Sequence, residues 1–309
     1  MLNLLKSDLY RLVHGKMLWV GLAALLAVVV GAAGLIWFAT TPLFAEMVNE
    51  QAANNQAAAN AGSTWNMQLT TPNNADLDAA EVEALNEKVI NSRTYSYGST
   101  FMVGFLGLIV SVLAALIAAS DFDSGFAKSV LAGRRSRLPY FGEKLLLIAL
   151  VCGAFLLVAM VASDAAYLLL GFSYEHAETV GEFWAWTGLA WLEMTAYAYV
   201  VALIVWVARS KAAGIVFAAL IPSGFLESML LAAAVGLAPA FPVINDAVKW
   251  LPLSTQQLLS AGGTQVFAAG DAAAVAGLPV AGQVLIVFGV LAAVCVGLAL
   301  AACPRKDVA

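Results

Sequence analysis

The chain has 309 residues, 62% of them hydrophobic and 11% charged, against roughly 45–50% apolar and about 25% charged in soluble domains. That composition excludes a soluble globular protein and indicates one embedded in a lipid bilayer. The net charge of -5 means little as a total, because a membrane sorts charge by side.

Residues 1–16, MLNLLKSDLYRLVHGK, place Leu2, Leu5, Leu9, Leu12 and Val13 at helical spacing, with Lys6, Asp8, Arg11 and Lys16 largely on other faces. This pattern predicts a short amphipathic helix lying in the headgroup layer; the charged flank of a signal anchor has the same pattern. The apolar run from Met17 to Ala39 is longer than the 7–15-residue core of a cleaved signal peptide and is read as a span. Five further spans are expected near Phe101–Ala119, Leu145–Gly171, Phe183–Ala208, Ala212–Leu237 and Gln283–Cys303. The expected fold is therefore an all-α polytopic membrane protein, an amphipathic helix at 1–16 followed by a six-helix domain at 17–309.

An even number of spans puts both termini on one side. If that side is cytoplasmic, Lys6, Arg11, Lys16, Lys128, Arg134, Arg135, Arg137, Lys144, Arg209, Lys211, Arg305 and Lys306 lie inside, twelve in all, and only Lys88, Arg93 and Lys249 lie outside. The excess of Lys and Arg on one side fixes the expected orientation. The outer loop 40–100 is Ala- and Asn-rich before Gly62, and Asp76–Asn91 has a helical pattern with acidic residues in its first turns. A second outer segment, 238–282, is interrupted by Pro239, Pro242, Pro252 and Gly262; it is expected to form short re-entrant or surface helices. Trp184, Trp186 and Trp191 fit an interfacial aromatic belt, with a ligand cage as the alternative.

Familiar chemical motifs are absent. No GxxxxGK[ST], HExxH or GxSxG occurs, so no catalytic set is visible, and the chain is not expected to be an enzyme or to use ATP by itself. Cys152, Cys295 and Cys303 show no CxxC or Cys/His grouping, so neither a disulfide framework nor a metal site is expected. Three acids interrupt the apolar runs: Asp164, Glu193 and Glu227. An ionisable group at the bilayer centre costs at least about 2.5–3.5 kcal/mol and usually faces a cavity or a partner. They are the candidate substrate path, with interhelical hydrogen bonding as the plainer alternative. Gly31 with Gly34, and Gly104 with Gly107, lack GxxxG spacing and are read as packing positions.

Between the second and third spans lies a basic island, 120–144, SDFDSGFAKSVLAGRRSRLPYFGEK. Asp121 to Gly125 read as an acidic turn, Phe126 to Leu131 as a short helix with an apolar face, and Arg134, Arg135 and Arg137 as a basic set; a lipid-facing basic loop is the bland counterpart. The opening LLKSDLYRL, the large outer loop and this island resemble the ABC-2 type permeases of bacterial ABC exporters, through six spans and nearly the whole chain. The most specific part of the likeness is Asp121, Phe122, Gly125, Val130, Leu131, Gly133, Arg137 and Lys144.

The resemblance implies a multi-pass subunit of the bacterial cytoplasmic membrane that pairs with a second permease chain, identical or not. It also implies docking of a separate ATP-binding cassette ATPase through the amino-terminal helix and a coupling loop at 120–144. The docking residues it implies are Asp121, Phe122, Gly125, Phe126, Val130, Leu131, Arg134 and Arg137. ATP and Mg would belong to that partner, with no cofactor on this chain and no nucleic-acid partner. Peptides, antibiotics and other amphiphiles are the substrate classes of such exporters. The alternatives are an ion-coupled secondary transporter working through Asp164, Glu193 and Glu227, and a non-transporting membrane anchor or sensor.

Overall fold

The computed structural model describes residues 2–41, 43–44, 88–102, 104–123, 138–175, 178–237, 243–267 and 278–302. Helix α1 (Leu2–His14) is followed at Gly15 by α2 (Lys16–Ala39). On α1 the face turned to the bundle carries Leu5, Asp8 and Leu12, while Leu9 and Val13 point away from it. The amphipathic pattern alone leaves Asp8 off the apolar face; packing turns the helix so that this acid is buried. Helix α2 touches the rest of the chain along one stripe, Gly21, Leu25, Val29 and Ala33.

A short helix α3 (Arg93–Tyr97) runs through a π-helical turn, Gly98–Met102, toward α4 (Phe105–Asp123), with a bend of 60° between the two axes. Helix α5 (Leu138–Leu170) has 33 residues, about 50 Å at 1.5 Å per residue. It starts a full turn and more before the expected Leu145, with Pro139 near its start, where a missing N–H removes no helical bond. Helix α6 (Val180–Ala208) opens on a capping box in which Thr179 and Glu182 exchange side-chain-to-backbone bonds.

The expected fifth span is two pieces, α7 (Lys211–Leu220) and α8 (Phe225–Leu237), bent by 55°. Pro222 lies in the break and Gly224 takes a left-handed φ of +69°, a conformation glycine adopts without steric penalty. Three short helices follow in 238–282: α9 (Val243–Val248), α10 (Pro252–Ser260) and α11 (Gly263–Val266). Helix α12 (Val280–Ala302) completes the described chain.

Helices α2, α5, α6 and α12 are each long and apolar enough to cross a bilayer, and counting each bent pair as one span gives up to six. The chain is therefore a helical, membrane-embedded protein. Helix α6 is its axis: Trp186, Ala190, Met194, Tyr197, Ala198, Val201 and Ala202 are buried, with α4 and α12 packed directly against it. The contact surfaces are rich in alanine, including Ala114, Ala115, Ala118, Ala190 and Ala198, because between helices in lipid close backbone approach replaces the hydrophobic effect as the source of attraction.

The two bends meet. A Cβ on Gly104 would lie 3.2 Å from the Pro222 carbonyl oxygen, and one on Gly107 would lie 3.1 Å from the Pro222 side chain, so these glycines let one broken helix seat against the other. A Cβ on Gly31 or Gly34 would meet nothing within 4 Å, so the packing role expected of that pair is not found among the described residues. The helical pattern over Asp76–Asn91 is met by a different structure at its described end: Lys88 has φ 56°, and Val89 and Ile90 form β1 (Val89–Ile90), paired in parallel with β2 (Ser173–Tyr174). Two adjacent β-branched residues favour this extended pairing.

Candidate functional site

Lys144 and Asp164 stand on α5 twenty residues apart, about 30 Å along the helix axis, which equals the thickness of the hydrocarbon core. Each anchors a polar cluster at one end of the bundle, and a third group of polar residues lies between them.

At the first end the Lys144 ammonium meets the Asp8 carboxylate at 2.5 Å, with the two side chains only 3% and 7% exposed. Arg11, one turn further along α1, approaches the other Asp8 oxygen at 3.5 Å, and the Lys144 ammonium lies 5.7 Å from the centre of the Tyr140 ring. A cavity of about 140 Å³ opens beside the pair, with Arg11, Ser120 and Lys144 in its wall. The pair joins the amino-terminal helix to the start of α5, the helix that leaves the basic island. Glu143, next to Lys144, is also buried. In the sequence these two charges read as the edge of the solvated island; the early start of α5 carries them into the bundle. The signal for Asp8 was its place between Leu5 and Leu12 at spacings of three and four.

At the second end Asp164 is a hub. Its Oδ1 accepts from the Tyr97 hydroxyl at 2.7 Å and from the Tyr174 hydroxyl at 3.3 Å, and the Arg93 guanidinium lies 3.6 Å away. The same guanidinium stands 5.6 Å from the centre of the Tyr174 ring. Burial pushes the Tyr174 phenol up to about 12, so it remains a donor at neutral pH. Beside this hub, Glu178 accepts from both the backbone N–H and the hydroxyl of Thr94, whose oxygen takes the Gly263 N–H at 2.6 Å. A cavity of about 390 Å³ lies between these networks. Arg93, Tyr174, Glu175 and Glu178 form its polar wall, and Val180, Phe183 and Trp184 from the first turns of α6 form its apolar wall.

The three tryptophans separate. Trp186 is fully buried and donates to the Leu259 carbonyl at 2.9 Å. Trp191 donates to the Ala149 carbonyl at 2.8 Å. Trp184 stands at the cavity, 57% exposed, and Trp191 is 42% exposed away from it.

Of the acids in the apolar runs, Asp164 is 38% exposed and held by Arg93 and two tyrosines. Glu227 reaches from α8 to accept the Leu253 N–H in the first turn of α10, a turn whose own N-cap, Leu251, has no side-chain acceptor to offer. Glu193 differs from both. It lies thirteen residues into α6, about 20 Å along the axis, is 2% exposed, and its Oε2 has no hydrogen-bond partner. One turn on, the Tyr197 hydroxyl donates to Gln256 at 3.4 Å. The structure thus gives the three acids different partners: Asp164 an arginine and two tyrosines, Glu227 the N-terminus of α10, and Glu193 a buried position with an unpartnered oxygen.

Asp121 and Phe122 belong to the last turn of α4, where the sequence suggests an acidic turn; the helix continues through Asp123. Gly125, Phe126, Val130, Leu131, Arg134 and Arg137 lie outside the described residues. Among the described residues no three His, Cys, Asp or Glu side chains are grouped to hold a metal ion. No protein-family model matches the chain, and no curated protein matches it.

Proposed function

We propose that the chain is the permease subunit of an ABC exporter of the ABC-2 type, with six spans, both termini in the cytoplasm and a second permease chain beside it in a bacterial cytoplasmic membrane. The resemblance of the island and the twelve-to-three charge bias support this reading. The observation that carries it furthest is the buried Asp8–Lys144 pair, because it ties the amino-terminal helix to the helix leaving the island, the two elements the resemblance assigns to ATPase contact. The separate ATPase subunit would hold ATP and Mg and supply the energy. Within this chain, a displacement of the island would pass through Lys144 to α1 and along α5. The facing breaks at Gly104 and Pro222 would let α4 and α7 re-angle. The ATPase must bind one arrangement of the permease better than the other, or no switching follows.

The test is co-expression with an ATP-binding cassette ATPase, sought first in the reading frames neighbouring this one. The double charge reversal R134E/R137E, or Gly125→Pro, is expected to abolish co-purification of the ATPase and substrate export while leaving the permease in the membrane. Unchanged co-purification and export would sink the proposal. The ion-coupled reading retains one observation in its favour, the buried Glu193 carboxylate. Transport that needs no ATPase, is stopped by a protonophore and is abolished by Glu193→Gln would establish it instead. ATPase binding with no substrate flux would mark an anchor or sensor.

A further inference from the structure

The cavity between the Asp164 hub and the start of α6 is used by neither mechanism above. Its walls are cross-linked by polar contacts. One is held by the bonds from Arg93, Tyr97 and Tyr174 to Asp164, the second by the Glu178–Thr94–Gly263 chain, and the third by the Thr179–Glu182 capping box from which Phe183 and Trp184 project. Its volume of about 390 Å³ is within the range of small-molecule sites, about 300–1,000 Å³. Tight cross-bracing around an open space of this size is the arrangement of a pre-organised binding site.

The lining selects the ligand. Among the described lining residues Arg93 is the one cation, against the carboxylates of Glu175 and Glu178, and Arg93 is already held by Asp164, so the lining carries a net negative charge. Trp184 lines the cavity and is largely exposed, its ring T-shaped against that of Phe183 at 5.4 Å between centroids. The Arg93 guanidinium already lies against the Tyr174 ring, showing that the site's aromatic surface accepts a cation. Carboxylates combined with aromatic faces recognise organic ammonium groups, and Val180 and Phe183 supply an apolar floor for the rest of the molecule.

We infer that this cavity binds an organic cation, an ammonium group joined to an aromatic or short aliphatic body, with Trp184 and Glu175 as its principal contacts. The inference does not rest on the exporter reading, because binding is measured on the purified chain without an ATPase.

The test is calorimetric titration of the chain in maltoside micelles, which carry no amine, with benzyltrimethylammonium as the probe. Benzyl alcohol and benzenesulfonate serve as the neutral and anionic comparisons. Saturable binding of the cation alone is expected, weakened about 3- to 30-fold by Trp184→Ala and retained by Trp184→Phe. Glu175→Gln should also weaken it. Equal binding of benzyl alcohol, or wild-type affinity in both Trp184→Ala and Glu175→Gln at unchanged melting temperature, overturns the inference. If probe affinity falls in phosphatidylethanolamine nanodiscs, a lipid headgroup amine is the resident ligand; if it does not, the ligand is a free cation.

Discussion

Lys144 is a charged residue almost wholly withdrawn from water, and the Asp8 carboxylate meets it there. Withdrawing two charges from water is expensive even when they meet, and removing one partner of a buried pair costs about 3–5 kcal/mol, an upper figure here because Arg11 stays beside Asp8. Lys144→Met is therefore expected to lower thermal stability strongly, and Asp8→Asn likewise. The double variant D8N/K144M should recover most of the loss, giving a large coupling term in a double-mutant cycle read by detergent-solubilised unfolding. Additive losses would mean that the pair is not the contact that matters.

Gly98 gives a second residue-scale contrast. A Cβ there would fall 1.9 Å from the Ser260 carbonyl oxygen, backbone against backbone, whereas one on Gly31 meets nothing. Gly98→Ala should reduce the yield of folded protein sharply and Gly31→Ala should not change it, as monitored by size-exclusion profile.

Among the elements, α10 depends on a neighbour. Its N-terminus has no capping side chain of its own, and Glu227 on α8 accepts the Leu253 N–H in its place. Losing a cap typically costs about 1 kcal/mol. Glu227→Leu should destabilise by about that amount, while Glu227→Gln, which keeps an acceptor oxygen, should fall within about 0.5 kcal/mol of the wild type by denaturant or thermal unfolding. The same pair separates the functional readings. A cap tolerates the amide, whereas a proton-carrying acid does not, so export retained in Glu227→Gln would remove this residue from any ion path.

For the whole molecule, the two charge clusters on α5 lie about one hydrocarbon thickness apart, and orientation follows from which one faces the cytoplasm. The proposed topology, drawn from the Lys and Arg bias, has the Asp8–Lys144 end inside. A cysteine introduced at Ser63 should react with a membrane-impermeant maleimide on intact cells, and one at Ser136 only after permeabilisation. The reverse pattern would invert the topology and remove the basic island from reach of a cytoplasmic ATPase.

Much of this architecture was legible in the chain because hydropathy and charge sorting are local properties. Runs such as Met17–Ala39 and Gln283–Cys303 are apolar over a whole bilayer thickness, and a bilayer requires such runs to be helical so that their backbone groups are paired. The same rule leaves side-chain partners unspecified. Asp164, Glu193 and Glu227 look alike in sequence, each an acid in an apolar run. Only tertiary contact makes the first a tyrosine- and arginine-held hub, the second a buried carboxylate with an orphan oxygen, and the third the cap of a distant helix.

Likewise Trp184, Trp186 and Trp191 share a segment, yet their helical phase buries Trp186, leaves Trp191 half-exposed with its N–H on a backbone carbonyl, and puts Trp184 at a cavity. By itself, then, the sequence determined that the protein lives in a membrane, which stretches are apolar enough to cross it and which side its charge bias favours. Only the tertiary structure decided which polar residues meet, because residues such as Asp8 and Lys144 lie 136 positions apart and nothing in either local pattern encodes the other.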